Sequence, residues 1–159
     1  MNEKRAVVPI DYSPVFNEVI RKADEWALDH DVELFFLYVQ ETPEMMNVSA
    51  VGGGYYSTSS DYESRLRHST KQVEELEQQH RQLVRENHVK SPNQIRIDFG
   101  KSYVKILELC EGLLASTLIM ASHSRTMAGR LIMGSNTDYL LHHAHCSMYI
   151  LKNYELDNH

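Results

Sequence analysis

A chain of 159 residues with 42% hydrophobic and 24% charged residues has the make-up of an ordinary globular protein, and its length fits one domain. A formal net charge of −6 speaks against a nucleic-acid binder, and no apolar run reaches the ~18 residues of a membrane-spanning helix. The first five residues lack the apolar segment of a secretory signal, and two cysteines, Cys110 and Cys146, are too few for a disulfide framework. The expected setting is therefore the cytoplasm, without membrane insertion, and free buried thiols are the default there.

In chain order, Ala6-Val7-Val8-Pro9-Ile10 is a short apolar run closed by Asp11, which predicts a first strand. Pro9 has no N–H to give and belongs near the end of that strand or on an unpaired side. Ser13-Pro14 then offers an N-cap with proline at the first helical position. Val15, Phe16, Val19, Ile20, Ala23, Trp26 and Ala27 recur at helical spacing up to His30. Glu33 to Val39 reads as a second buried strand, so the opening segment is a βαβ unit with a right-handed crossover.

Gln40 to Ser60 is different in kind. Pro43, Met45, Met46, Gly52-Gly53-Gly54, Tyr55 and Tyr56 among Ser and Thr predict a long mobile loop over about residues 41–60. Asp61 to His88 carries Tyr62, Leu66, Val73, Leu76, Leu83 and Val84 on a narrow stripe, which predicts a surface helix. Gln94 to Phe99 alternates as a strand with one wetter side. Gly100-Lys101-Ser102 imitates the end of a P-loop, but Ile95 stands where that motif needs glycine, so it reads as a turn into a helix ending near Leu114.

Thr117 to Ala121 predicts a buried strand, Asn136 to His143 a short helix, and Ser147 to Leu151 a last strand before a polar tail. Five strands alternating with four helices define an α/β fold. The architecture is a doubly wound, five-stranded parallel sheet flanked by four helices, Rossmann-like, with an ordered core over about residues 5–151.

The stretch from Ser116 to Asn136 concentrates the chemistry. A strand end is followed by polar Ser122, His123, Ser124, Arg125 and Thr126, and Gly134-Ser135-Asn136 then opens a helix. Free backbone N–H groups and a positive helix terminus make such a junction an anion site. In doubly wound sheets ligands bind beyond the carboxyl ends of the strands at the topological switch point, which brings Asp11, Val39 and Ala121 to Ser124 around one crevice. The remaining signals are weaker. His142, His143, His145 and Cys146 have metal-ligand chemistry but also suit an ordinary helix-to-strand turn. Ser122-His123-Ser124 has no orienting acid, so no catalytic residue is assigned. Arg125 and Arg130 either meet phosphates or form surface ion pairs.

Ala121-x-x-Ser124, nine residues, then Gly134-Ser135 keeps the frame of a Gly-x-x-Gly, nine residues, Gly-Ser or Gly-Thr phosphate motif. With Val8-Pro9-Ile10-Asp11 ahead of it, the chain resembles the universal stress protein family from Arg5 to Leu151. The resemblance implies the adenine nucleotide alpha hydrolase-like form of the fold. It also implies ATP or another adenine nucleotide, with Mg, held by Pro9, Ile10, Asp11, Val39, Met120, Ala121, Ser124, Gly134, Ser135 and Asn136.

In that arrangement Asp11 meets the adenine, Val39 touches the base, and the motif backbone approaches the phosphates. Both leading glycines are replaced, and Tyr12 stands where a glycine usually follows the acid. An added side chain there either replaces a contact or blocks the phosphate; Asp11 has a second reading as a strand-end cap. The resemblance further implies a homodimer paired through Ser147 to Leu151.

Two functions follow as expectations. One is a regulatory or stress-response module in which nucleotide orders the loop from Ser122 to Met133 and changes what a partner meets. The alternative is a nucleotide-free dimeric interaction protein of the same fold, using the dimer surface and the loop from Gln40 to Ser60. Neither a Ser-Gly-Gly-x-Asp-Ser loop nor a His-x-Gly-His motif is present, so at most weak ATP hydrolysis is expected.

Overall fold

Alternate residues of the first strand feed two different cores, and that alternation divides the molecule into layers. The computed structural model describes residues 4–11, 16–41, 59–122, 125–127, 130–132 and 135–152, with side chains described in all of these except 59–69, 122–132 and 152. The elements are β1 (Lys4–Ile10), α1 (Phe16–His30), β2 (Val32–Gln40), α2 (Ser59–Glu86), β3 (Asn93–Phe99) and α3 (Ser102–Leu113). They continue with β4 (Thr117–Ser122), β5 (Arg125–Met127), β6 (Arg130–Ile132), α4 (Ser135–His143) and β7 (Ser147–Lys152).

Five parallel strands form one sheet in the order β3-β2-β1-β4-β7, as the βαβ pattern predicts. Ala6, Val8 and Ile10 with Leu34, Phe36 and Ile119 point to one face and pack on α1 (Phe16, Val19, Ile20, Ala23, Ala27) and Val84 of α2. Val7, Phe35, Leu37, Leu118 and Met120 point to the other face and pack on Ile106 and Cys110 of α3 and Leu140 of α4. The period of two along each strand places helices on both faces, which is what doubly wound means.

Pro9 explains where the sheet opens. Ser116 donates its N–H to the Arg5 carbonyl at 2.8 Å, so the polar groups of Arg5 face β4, and alternation turns those of Val7 and Pro9 the same way. The β1–β4 ladder runs through Ala6–Thr117 and Val7–Leu118 and then stops, because Pro9 has no N–H to continue it. On the opposite side β1 stays paired to β2 through Ile10–Tyr38. The carboxyl ends of β1 and β4, the neighbours between which strand order reverses, are thereby released from each other.

Three features depart from the sequence reading. Arg125–Met127 and Arg130–Ile132 form a two-stranded antiparallel hairpin, β5–β6, where a polar loop is expected. Each strand is three residues long, too short for alternation to register in the sequence. The long helix starts at Ser59 and ends at Glu86, two residues earlier at each end than its stripe suggests. His80 lies off the apolar stripe of that surface helix yet is 2% exposed: its ring lies 4.6 Å from Tyr38, and its Nδ1 is 2.6 Å from the Leu76 carbonyl. Burial pushes the His80 pKa below the usual histidine value, against the opposing pull of that carbonyl.

The helix start at Ser13-Pro14, the loop over 42–58 and the tail from 153 lie outside the described residues. Among the described residues no helix is long and apolar enough to cross a membrane.

Candidate functional site

The released carboxyl ends of β1 and β4 border a crevice of about 270 Å³. β1 contributes Pro9, Ile10 and Asp11; β2 contributes Leu37, Tyr38 and Val39; β4 contributes Met120 and Ala121. The first turn of α4 contributes Ser135, Asn136 and Thr137. Eight of the ten residues read from the sequence as nucleotide-binding thus line one cavity, and the other two, Ser124 and Gly134, lie outside the described residues.

The walls are mainly apolar, with Phe16 and Val19 of α1 and Ile106 of α3 completing them. Polar groups enter from three directions. Asp11 is exposed just past the end of β1, Ser135 and Asn136 are exposed at the start of α4, and Ser102 comes from α3. The α4 terminus presents backbone N–H groups and the positive end of its dipole on this side.

The α3 terminus does not compete for an anion. The Ser102 N–H and its hydroxyl both donate to Glu41 Oε1, each at 2.8 Å, so a carboxylate from the end of β2 already occupies that position. The backbone hydrogen bond from Ser102, followed by the hydroxyl, holds the Glu41 pKa below the ordinary carboxylate range. Gly100, at φ 137°, makes the bend before α3 and donates its N–H to the Gln40 carbonyl at 3.1 Å. Gly100-Lys101-Ser102 is therefore a strand-to-helix turn, as expected, and Glu41 caps it. The α3 start is thus taken by Glu41, whereas Ser135 and Asn136 at the α4 start are exposed at the crevice.

Sequence reasoning missed Ser102, Phe16, Val19 and Ile106 as wall residues, because each comes from an element whose approach to the crevice depends on helix docking. The histidine-rich corner carries other work. His142 and His143 place Nδ1 at 2.8 Å from the carbonyls of Asp138 and Tyr139 respectively, and the His143 ring stacks on Tyr139 at 3.9 Å. Among the described residues no three His, Cys, Asp or Glu side chains converge as a metal site. His123 and Ser124 lie outside the described residues, as do the side chains of Ser122, Arg125 and Arg130.

Fold and crevice together define a doubly wound α/β domain with a ligand-sized cleft at its strand-order reversal. Residues 3–152 match the model of the universal stress protein family, and the chain belongs to that family. Solved structures agree on the fold. The universal stress protein UspA from Lactobacillus plantarum is 18% identical with a TM-score of 0.62, over 95% of this chain and 99% of that one. A universal stress protein solved in complex with cAMP is 14% identical with a TM-score of 0.61, over 96% of this chain and 98% of that one. The universal stress protein from Archaeoglobus fulgidus in complex with dAMP is 15% identical with a TM-score of 0.54, over 94% and 98%. No curated protein matches the sequence.

Proposed function

We propose that the crevice binds ATP or a related adenine nucleotide, with Mg, and that its occupancy makes the protein a cytoplasmic regulatory module of the stress response. One observation carries the reading: residues from four separate elements, singled out from the sequence, converge on one cleft beside the exposed start of α4. An adenine ring suits the apolar walls at Ile10 and Val39, with Asp11 at hand to accept from the exocyclic amine. Phosphates suit the α4 terminus, where Ser135 and Asn136 can donate beside the backbone N–H groups. Two structural relatives hold adenine nucleotides, cAMP in one and dAMP in the other.

A thermal-shift titration tests this directly. With a dissociation constant of about 10 μM, 1 mM Mg-ATP adds roughly 2.7 kcal/mol of stability, which raises the Tm of a domain this size by about 5–10 °C. cAMP belongs in the same titration as a probe of phosphate preference. A flat response to both at millimolar concentration overturns the reading and leaves the nucleotide-free interaction protein in its place.

The edge of the sheet supports a homodimer in either case. Ser147 donates its N–H to Ser116 at 3.1 Å, so Ser147, Tyr149 and Leu151 turn their backbone groups toward β4. Met148 and Ile150 turn theirs outward, along an edge to which no described strand pairs. Tyr149 beside that edge is 38% exposed, with its ring 6.3 Å from Trp26. Ile150→Pro removes an outward donor while sparing the β4 ladder, so it is expected to elute as a monomer with an unchanged far-UV spectrum. A variant that stays dimeric removes β7 from the interface.

A further inference from the structure

The two cysteines, distant in sequence, meet on the face of the sheet that carries α3 and α4. Cys110 sits in the last turn of α3 and is 5% exposed, while Cys146 is half-buried in the link between α4 and β7. Both pack in the same hydrophobic cluster, and both line a cavity of about 320 Å³ shared with Leu107, Leu114 and His145. Both thiols are free.

Backbone anchors hold the pair in register. Leu114, at φ 50°, ends α3, and the Ala115 N–H returns to the Cys110 carbonyl at 2.9 Å. Ser116, next in the chain, accepts the N–H of Ser147 at 3.1 Å, immediately after Cys146. The segments bearing the two thiols are therefore tied to one point at the start of β4.

The thiols differ in character. The neighbouring Cys110 thiol lowers the Cys146 pKa below the ordinary thiol value, against the opposing effect of burial, while Cys146 and burial push that of Cys110 up. Of the two, Cys146 is the readier to give up its proton, with the Cys110 thiol beside it. A zinc site would need further ligands, and among the described residues no three His, Cys, Asp or Glu side chains converge.

We propose that Cys110 and Cys146 form a peroxide-responsive dithiol that closes to an intramolecular disulfide. The Cys146 thiolate attacks the distal oxygen of hydrogen peroxide or an organic hydroperoxide. An S–O bond forms, the O–O bond breaks, and the departing hydroxide or alkoxide takes a proton to leave as water or alcohol. Once the Cys146 charge is consumed, the interaction that held the Cys110 proton is gone. The Cys110 sulfur then attacks the sulfenic sulfur, its proton leaves with the hydroxyl as water, and two electrons have passed from the thiols to the peroxide. The cavity admits the small oxidant, and the process needs no nucleotide in the crevice.

The test treats the reduced full chain with hydrogen peroxide, blocks residual thiols by alkylation and reads intact mass and peptides. The expected product has lost two hydrogens, yields a Cys110–Cys146 linked peptide and reverts with dithiothreitol. In untreated native protein, Cys146 is expected to alkylate at neutral pH at least about tenfold faster than Cys110, a readout that needs no variant. In Cys110→Ala, dimedone is expected to trap a sulfenic acid on Cys146. If both thiols remain alkylatable after peroxide, or Cys146 passes to the sulfinic acid without a cross-link, the proposal is overturned.

Discussion

Replacing Asp24 by alanine is expected to destabilise the protein by about 3 kcal/mol, seen as a fall in Tm of roughly 6–12 °C or a matching shift of the urea midpoint. Asp24 is 9% exposed on the inner side of α1, an unusual place for a carboxylate. It is held there by Ser91, whose N–H donates to Oδ1 at 2.8 Å and whose hydroxyl donates to the same oxygen at 2.6 Å. The Lys90 N–H adds a bifurcated contact at 3.1 and 3.2 Å. These bonds pin the turn between α2 and β3, and the Leu34 N–H donates to the Pro92 carbonyl at 2.9 Å just beyond it. Alanine strands the two donors of buried Ser91, so the loss exceeds that of an ordinary surface bond. Asp24→Asn keeps one acceptor oxygen and is expected to lose less, about 1–2 kcal/mol. An alanine variant within about 0.5 kcal/mol of the parent would show that the turn holds itself.

The second large effect concerns affinity and rests on the nucleotide reading. Changing Ala121 and Ser124 together to glycine is expected to tighten adenine-nucleotide binding by about 10- to 100-fold, or roughly 1.4–2.7 kcal/mol, measured by calorimetric titration with Mg-ATP. Ala121 pairs with Leu151 at the end of β4, and it lines the crevice. Glycine there removes a methyl group from the path by which backbone approaches phosphate. Removing that methyl from a strand costs about 0.5–1 kcal/mol of stability, so affinity must be measured well below the unfolding transition. Equal affinity in parent and variant would mean that these side chains are not what limits binding.

Much of this was legible in the chain because it depends on local pattern. Leu34, Phe36 and Phe35, Leu37 had to fall on opposite faces of β2 once it was a strand, and both cores follow from such pairs. Asp11, Val39 and Ala121 converge because parallel strands present their carboxyl ends at one edge of the sheet. Asp24 was hidden for the opposite reason. A charged residue next to Ala23 on α1 reads as solvent-facing unless one knows that Ser91, far along the chain, arrives with two donors. His80 was hidden likewise, since its burial depends on Tyr38 of another element.

By itself the sequence determined the strand–helix alternation, the two-faced sheet and the family, since hydrophobic period and motif spacing are local properties that survive any detail of packing. It also placed Pro9 near the end of the first strand or on an unpaired side, and the structure adds that the β1–β4 ladder stops short of it. Tertiary structure alone decided that Glu41 fills the α3 terminus beside the crevice, and that Cys110 and Cys146 share a cavity. Those outcomes are meetings between distant segments, and their geometry is set by how helices dock on the sheet, which no local pattern encodes.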